Sequence, residues 1–146
     1  MNKLTVEKIM CYLPFNPNVN LCDLQGNIKF KNRAIRSFEI KMGFKDFHLI
    51  TGNRTVHYLD GIKLLLRPLS DLNKEIKYKG EKFIPQNKID KRFRQQFKNF
   101  KKAGEINTEN WYIFPYEIIE QLFKWKFDVY GLIDDGLAHN IKSLAN

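Results

Sequence analysis

The stretch Val19-Asn20-Leu21-Cys22-Asp23-Leu24-Gln25-Gly26-Asn27-Ile28-Lys29-Phe30-Lys31 decides the class of fold. Val19 and Leu21 alternate with polar residues, and Ile28 and Phe30 alternate with Lys29 and Lys31. A period of two with a Gln-Gly-Asn turn between the halves is the pattern of a β-hairpin, because successive side chains of a strand point to opposite faces. Upstream, Thr5 is a natural N-cap for a short helix on which Val6, Ile9, Met10 and Leu13 share a face, and Pro14 is expected to end it. Downstream, Phe38 and Ile40 flank Glu39 as a further strand segment, and Phe47–Ile50 is a strand inside an otherwise irregular stretch, 41–55.

Ile62 to Leu66 is a short apolar run interrupted only by Lys63. Its length favours a buried strand over a helix, although period alone leaves both open. Glu75-Ile76-Lys77-Tyr78, Lys79-Gly80 and Glu81-Lys82-Phe83-Ile84 read as a second hairpin, closed by Pro85. Two longer helices are expected after it. In the first, Ile89, Phe93, Phe97 and Phe100 form an apolar stripe, with Gly104 as its stop. In the second, Pro115 opens the helix and Ile118, Ile119, Leu122, Phe123, Val129, Tyr130 and Ile133 keep the helical period to Gly136. Leu137 to Leu144 reads as an extended tail lying back on the body.

Strands followed by helices, segregated along the chain, predict an α+β fold with antiparallel hairpins in the N-terminal part packed with two longer C-terminal helices. The 146 residues contain no repeat, low-complexity tract or linker, so 1–146 is read as a single domain. A hydrophobic fraction of 43% supplies a core and excludes global disorder. No run of 18 apolar residues occurs, which predicts no membrane partner. The first residues lack the apolar core of a signal peptide, so Cys11 and Cys22 are expected as reduced thiols and the chain in the cytoplasm of a host cell.

The charge is +9, from 25 Lys+Arg against 16 Asp+Glu. Part of it has a bland origin: 19 Lys against 6 Arg, with 14 Asn, 15 Ile and only 4 Ala, is the usage of an A·T-rich genome. The distribution is less bland. Seven cations, Lys88, Lys91, Arg92, Arg94, Lys98, Lys101 and Lys102, stand between 88 and 102 against one anion, Asp90, whereas 103–146 holds three cations and seven anions. With the aromatic stripe turned inward, these cations would form an exposed fan able to meet phosphate or an acidic protein surface. The seven are the candidate partner or nucleic-acid binding residues; the competing reading is a solvated helix face.

Catalytic signals are weak. His48, His57 and His139 have no ligand spacing, Asp134-Asp135 read as solvated residues before a glycine, and no phosphate-loop motif is present. No enzyme activity, cofactor or metal is therefore expected. Trp111-Tyr112-Ile113-Phe114-Pro115-Tyr116 could stack bases, but reads first as a core staple for the last helix.

Three stretches carry a resemblance. Leu4-Thr5-Val6-Glu7-Lys8-Ile9-Met10-Cys11-Tyr12-Leu13-Pro14, Leu65-Leu66-Arg67-Pro68-Leu69-Ser70-Asp71-Leu72, and the run from Trp125 through Phe127-Asp128-Val129-Tyr130-Gly131-Leu132-Ile133 to Ala138 resemble small uncharacterised phage- and prophage-borne proteins. Lys126 and His139-Asn140 stand where those proteins often have a histidine and an Ile-Asp pair. The resemblance implies a context, an accessory phage protein acting inside an infected cell. Phage context, small size and the basic fan together suggest a binder that interferes with a host nucleic-acid-handling defence complex, in the manner of an anti-CRISPR inhibitor. Its partner would be a host protein or ribonucleoprotein. The alternative is a protein that binds DNA or RNA directly in phage replication or recombination.

Overall fold

A computed structural model describes residues 3–40, 47–51, 56–95 and 114–144. The fold is α+β. It divides into two compact units, Met1–Leu66 with Leu132–Asn146, and Arg67–Gly131.

The first unit is built on a six-stranded sheet of order β4-β3-β2-β1-β5-β8. β1 (Asn18–Cys22) and β2 (Ile28–Ile40) form the expected antiparallel hairpin. The segment at Phe38 and Ile40 is part of this same 13-residue strand rather than a separate one. Asp23 fixes the turn: its Oδ1 accepts from the backbone N–H of Gln25 and of Asn27 at 3.0 and 2.9 Å. β3 (Phe47–Thr51) pairs with β2, and β4 (Val56–Tyr58) with β3, both antiparallel. β5 (Ile62–Leu66) settles the open choice at that run in favour of a strand. It pairs antiparallel with β1 and parallel with β8 (Ala138–Asn140), so the C-terminal tail completes the sheet. Ile62, Leu64, Leu65 and Leu66 are all buried, as a strand with neighbours on both sides requires.

The short helix α1 (Val6–Met10) is capped as expected, with the Lys8 N–H donating to Thr5 Oγ1 at 3.5 Å. Pro14 does not end it. The α-helix stops at Met10, and Pro14 lies inside a 3₁₀ turn, Leu13–Phe15, whose first positions need no proline N–H. Ile9 and Tyr12 are fully buried and anchor this segment.

In the second unit, β6 (Ile76–Tyr78) and β7 (Glu81–Phe83) form the second hairpin. Lys79 and Gly80 both have positive φ, 49° and 85°, the geometry that matches the right-handed twist of flanking strands. Pro85 opens a one-turn helix, α2 (Pro85–Lys88), and helical backbone resumes over 91–95. The expected Ile89–Phe100 stripe is seen only at its start: Ile89 is buried and Phe93 half-buried, while Phe97, Phe100 and the Gly104 stop lie outside the described residues.

The last helix is shorter than its period predicts. α3 spans Tyr116–Lys124, not Pro115 to Gly136. Lys126 adopts φ 64°, outside helical space, and Phe127 then pairs in parallel with Arg67. Val129 is buried and Tyr130 half-buried, in turns rather than a helix. Their spacing mimics a helical stripe because burial alone selects apolar residues there. Among the described residues, no helix is long and apolar enough to cross a membrane.

Candidate functional site

The basic segment begins where the second hairpin ends. Lys88 closes α2 with its ammonium 2.6 Å from Glu81 Oε1 and 4.2 Å from the centre of the Phe83 ring. Both charged groups of the ion pair are exposed, so its contribution to stability is small. Asp90, the lone anion of the block, proves to be an N-cap: its Oδ1 accepts from the Arg92 N–H at 2.9 Å, at the start of the helical residues 91–95. Bonds from the Arg92 side chain and N–H hold the Asp90 carboxyl at about 2. Arg92 answers with a two-point grip, Nη2 to Oδ2 at 2.8 Å and Nε to Oδ1 at 3.2 Å.

Arg94 differs from its neighbours. It is half-buried, and donates from Nε to the Ile89 carbonyl at 2.9 Å and from Nη2 to the Asn87 carbonyl at 2.6 Å. Two backbone carbonyls, one in the last residues of α2 and one at its C-cap, are satisfied by one guanidinium, which is a structural duty. Lys88, Lys91 and Arg92 are exposed. Lys98, Lys101 and Lys102 lie outside the described residues. The block therefore supplies three outward cations and one clamp among its described members.

Sequence reading overlooked two polar clusters. In the second unit, Arg67 is half-buried, its Nη2 donates to the Lys77 carbonyl at 3.2 Å, and its Nε is buried with no hydrogen-bond partner among the described residues. Burial pulls its pKa down, and Asp71 opposes the shift. Asp71 is itself buried, with its Oδ1 2.7 Å from Lys74 Nζ. Burial, and then the Arg67 charge, lower the Lys126 pKa. In the first unit, Asn20 is fully buried: its Oδ1 accepts from the Asn32 N–H at 3.0 Å, and its Nδ2 lies 2.8 Å from His139 Nδ1. A buried asparagine with both ends engaged is a satisfied core group. The sequence carries no signal for Asn20, which falls in the polar phase between Val19 and Leu21, where a solvated residue is expected.

Of the remaining candidates, the backbones of His48 and His57 lie on neighbouring strands, in rungs His48↔Tyr58 and Leu49↔His57. His139 is engaged with Asn20 in another part of the sheet. Among the described residues no three His, Cys, Asp or Glu side chains converge on a metal-sized site. In the aromatic run, Phe114 is buried and Tyr116 exposed, while 111–113 lie outside the described residues. Cys11 and Cys22 are not joined in a disulfide, the Cys11 Sγ donates to the Glu7 carbonyl at 3.4 Å, and burial raises the Cys22 pKa.

Comparison of the chain with protein-family models, with curated proteins and with solved structures finds no match.

Proposed function

We propose that this protein acts by binding: it engages an anionic surface of a host complex that handles nucleic acid, and interferes with that complex as an anti-defence inhibitor of the anti-CRISPR kind. One observation carries the reading. Residues 88–102 hold +6 of charge, and Lys88, Lys91 and Arg92 stand exposed at its start. Lys88 and Arg92 are paired with Glu81 and Asp90, and the charge of the block in excess of those two acids is what a partner would meet. The resemblance to phage-borne proteins supplies the setting. The second reading, a direct DNA or RNA binder of phage replication or recombination, draws on the same cations. The low Arg content and the acidic stretch after the block weigh mildly against it.

The test is affinity capture of a partner from host lysate, with and without nuclease, using wild type and the triple variant Lys88→Glu, Lys91→Glu, Arg92→Glu. A partner that survives nuclease and is lost with the variant supports the inhibitor. A partner lost on nuclease treatment supports the direct binder. Retention of every interaction by the variant would reduce the block to a solubility face.

A further inference from the structure

Lys126 stands where a helix most often places a glycine. α3 closes with the Lys126 N–H donating to the Phe123 carbonyl and the Phe127 N–H donating to the Leu122 carbonyl, each at 2.9 Å. That pair of bonds is the Schellman closure, and the residue at its pivot takes a positive φ. Lys126 does so, at 64°. Glycine meets this demand without strain, and asparagine nearly so, whereas other L side chains crowd the following carbonyl. A lysine kept at such a position points to a use for its side chain.

The surroundings of that side chain are unusual. Lys126 is half-buried, and among the described residues its ammonium has no acceptor. Its neighbour is another half-buried cation: the bridge from the Arg67 N–H to the Lys126 carbonyl, 2.7 Å long, holds the two backbones side by side. The Arg67 guanidinium is held by one hydrogen bond, from Nη2 to the Lys77 carbonyl, and its Nε is buried with no acceptor among the described residues. Buried polar groups ordinarily have partners, so an orphan marks a place where one belongs. Arg67 Nη1 and Lys126 Nζ also lack an acceptor but are not buried, so a ligand can reach both from solvent.

The charges nearby do not supply the missing partner. The ionised groups acting on the two residues are each other and Asp71. Asp71 is already engaged by Lys74 at 2.7 Å, so Arg67, Lys126 and Lys74 stand against one carboxylate, an excess of two positive charges. Asp128, two residues beyond Lys126, is buried with a partner of its own. The negative end of the α3 dipole favours a cation near it, which accounts for one charge at this helix end. It does not account for a second cation beside the first, nor for the burial of both.

We infer that Arg67 and Lys126 form a binding site for a phosphate dianion, carried by a monoester or free, which takes the guanidinium and the ammonium together. Charge selects the ligand. A phosphate monoester carries about −1.5 to −2 near pH 7, which matches the excess of two. A carboxylate, or the diester of a nucleic-acid backbone, brings a single negative charge and leaves half the excess uncovered. Shape agrees: a planar guanidinium fork fits phosphate oxygens, and an ammonium adds a point charge to the clamp. The site uses no residue of the 88–102 block.

Proton–nitrogen NMR spectra of the full-length protein test this, with the Arg67 Nε–H signal identified by its loss in Arg67→Lys. Inorganic phosphate and phenyl phosphate, added near neutral pH at constant ionic strength, should shift that signal saturably. Acetate and dimethyl phosphate should bind about tenfold more weakly, since each gives up one charge-assisted contact. Tighter binding of phenyl phosphate than of inorganic phosphate supports an ester as the ligand, and equal binding supports free phosphate. Lys126→Gly removes the ammonium and supplies the residue this helix end favours. Without phosphate its urea midpoint should hold or rise, while its phosphate affinity falls about tenfold. Lys126→Asn should behave alike and serves if the glycine variant folds poorly. A purely structural lysine would give the reverse, a lower midpoint with unchanged affinity, and would overturn the inference. So would an Arg67 signal that neither phosphate moves, or binding of acetate or dimethyl phosphate as tight as that of phosphate. The Lys88, Lys91 and Arg92 triple Glu variant should bind phosphate as wild type does; loss of phosphate there would move the anion to the block and overturn the site. That variant can lose a protein partner without touching phosphate, so the two surfaces fail separately.

Discussion

The backbones of Arg67 and Phe127 form a parallel bridge: the Arg67 N–H donates to the Lys126 carbonyl at 2.7 Å, and the Asp128 N–H donates to the Arg67 carbonyl at 2.8 Å. The bridge joins the stretch that follows β5 to the turn that follows the last helix. It also explains why the last helix ends early. Once Phe127 is committed to Arg67, its neighbours cannot keep helical hydrogen bonding, and Lys126 takes φ 64° to make the bend. Phe127 itself is fully buried, so the bridge is fastened by an aromatic side chain as well as by the main chain.

Arg67 should therefore be a stability residue. Its side chain reaches the Lys77 carbonyl in β6 while its main chain holds Phe127. Arg67→Ala removes the bond to the exposed Lys77 residue's carbonyl together with the packing of a half-buried side chain, and should cost about 1 kcal/mol in urea unfolding. Arg67→Lys should recover part of the loss, since an ammonium can donate once but cannot reproduce the planar fork. An unchanged midpoint for Arg67→Ala would show that the bridge is held by the main chain and Phe127 alone.

The Asn20–His139 contact predicts a pH dependence. Because Asn20 Oδ1 accepts from the Asn32 N–H, its amide nitrogen faces His139 and donates. Nδ1 must then be the acceptor, which puts the ring proton on Nε2. Burial, and secondly the Lys63 charge, lower the His139 pKa. A histidine depressed below its unfolded value of about 6.5 stabilises the fold fully above that pH and progressively less as pH falls toward its folded pKa. Urea midpoints should decline from pH 7.5 to 5, and His139→Gln should flatten part of that decline. A His139 ring that titrates by NMR at or above 6.5 would contradict the contact.

The second hairpin carries a correctable strain. Lys79 adopts φ 49°, which costs a side chain other than Gly, Asn or Asp about 1 kcal/mol. Its ammonium lies 5.7 Å from the centre of the Tyr78 ring, an exposed and weak contact. Lys79→Asn should raise stability by about 0.5 kcal/mol, measurable as a higher urea midpoint, because Asn-Gly is the preferred pair for this turn. A decrease would mean that the contact with Tyr78 outweighs the backbone term.

The strands were the legible part of this chain. Gln25-Gly26-Asn27 and Lys79-Gly80 marked both hairpins, because turn chemistry is local and a period of two follows from the pleat. The helix after Pro115 was overextended for a physical reason: Val129 is buried in a turn, and apolar spacing reports burial without reporting hydrogen bonding. The pairing irregularities of β2 were not legible: Lys29 and Lys31 read as the polar half of an alternation, and the shifts at Val19/Leu21, Leu21/Cys22 and Ile35/Ser37 are set by long-range register. The block at 88–102 stood out by density, yet density cannot tell Arg94, bound to two carbonyls, from the exposed Lys91 beside it.

That difference gives the sharpest separation of fold from function within the block. Arg94 spends its Nε and Nη2 on the Ile89 and Asn87 carbonyls, next to the buried Ile89 side chain. Arg94→Glu would withdraw both donors and place a carboxylate against two carbonyl oxygens, so it should lower the urea midpoint by about 2–3 kcal/mol of unfolding free energy. Lys91→Glu should leave the midpoint where it is, because nothing in the fold leans on an exposed lysine at that position. Arg92→Glu should act in between, by ending the two-point grip on Asp90 and setting a second carboxylate beside the N-cap. Partner capture should show another order: Lys91→Glu should weaken it while the protein stays folded, and Arg94→Lys, which keeps the charge and one donor, should retain it. If Lys91→Glu left capture intact while Arg94→Lys abolished it, Arg94 would be the contact residue, and the two carbonyl bonds would only hold it ready for a partner.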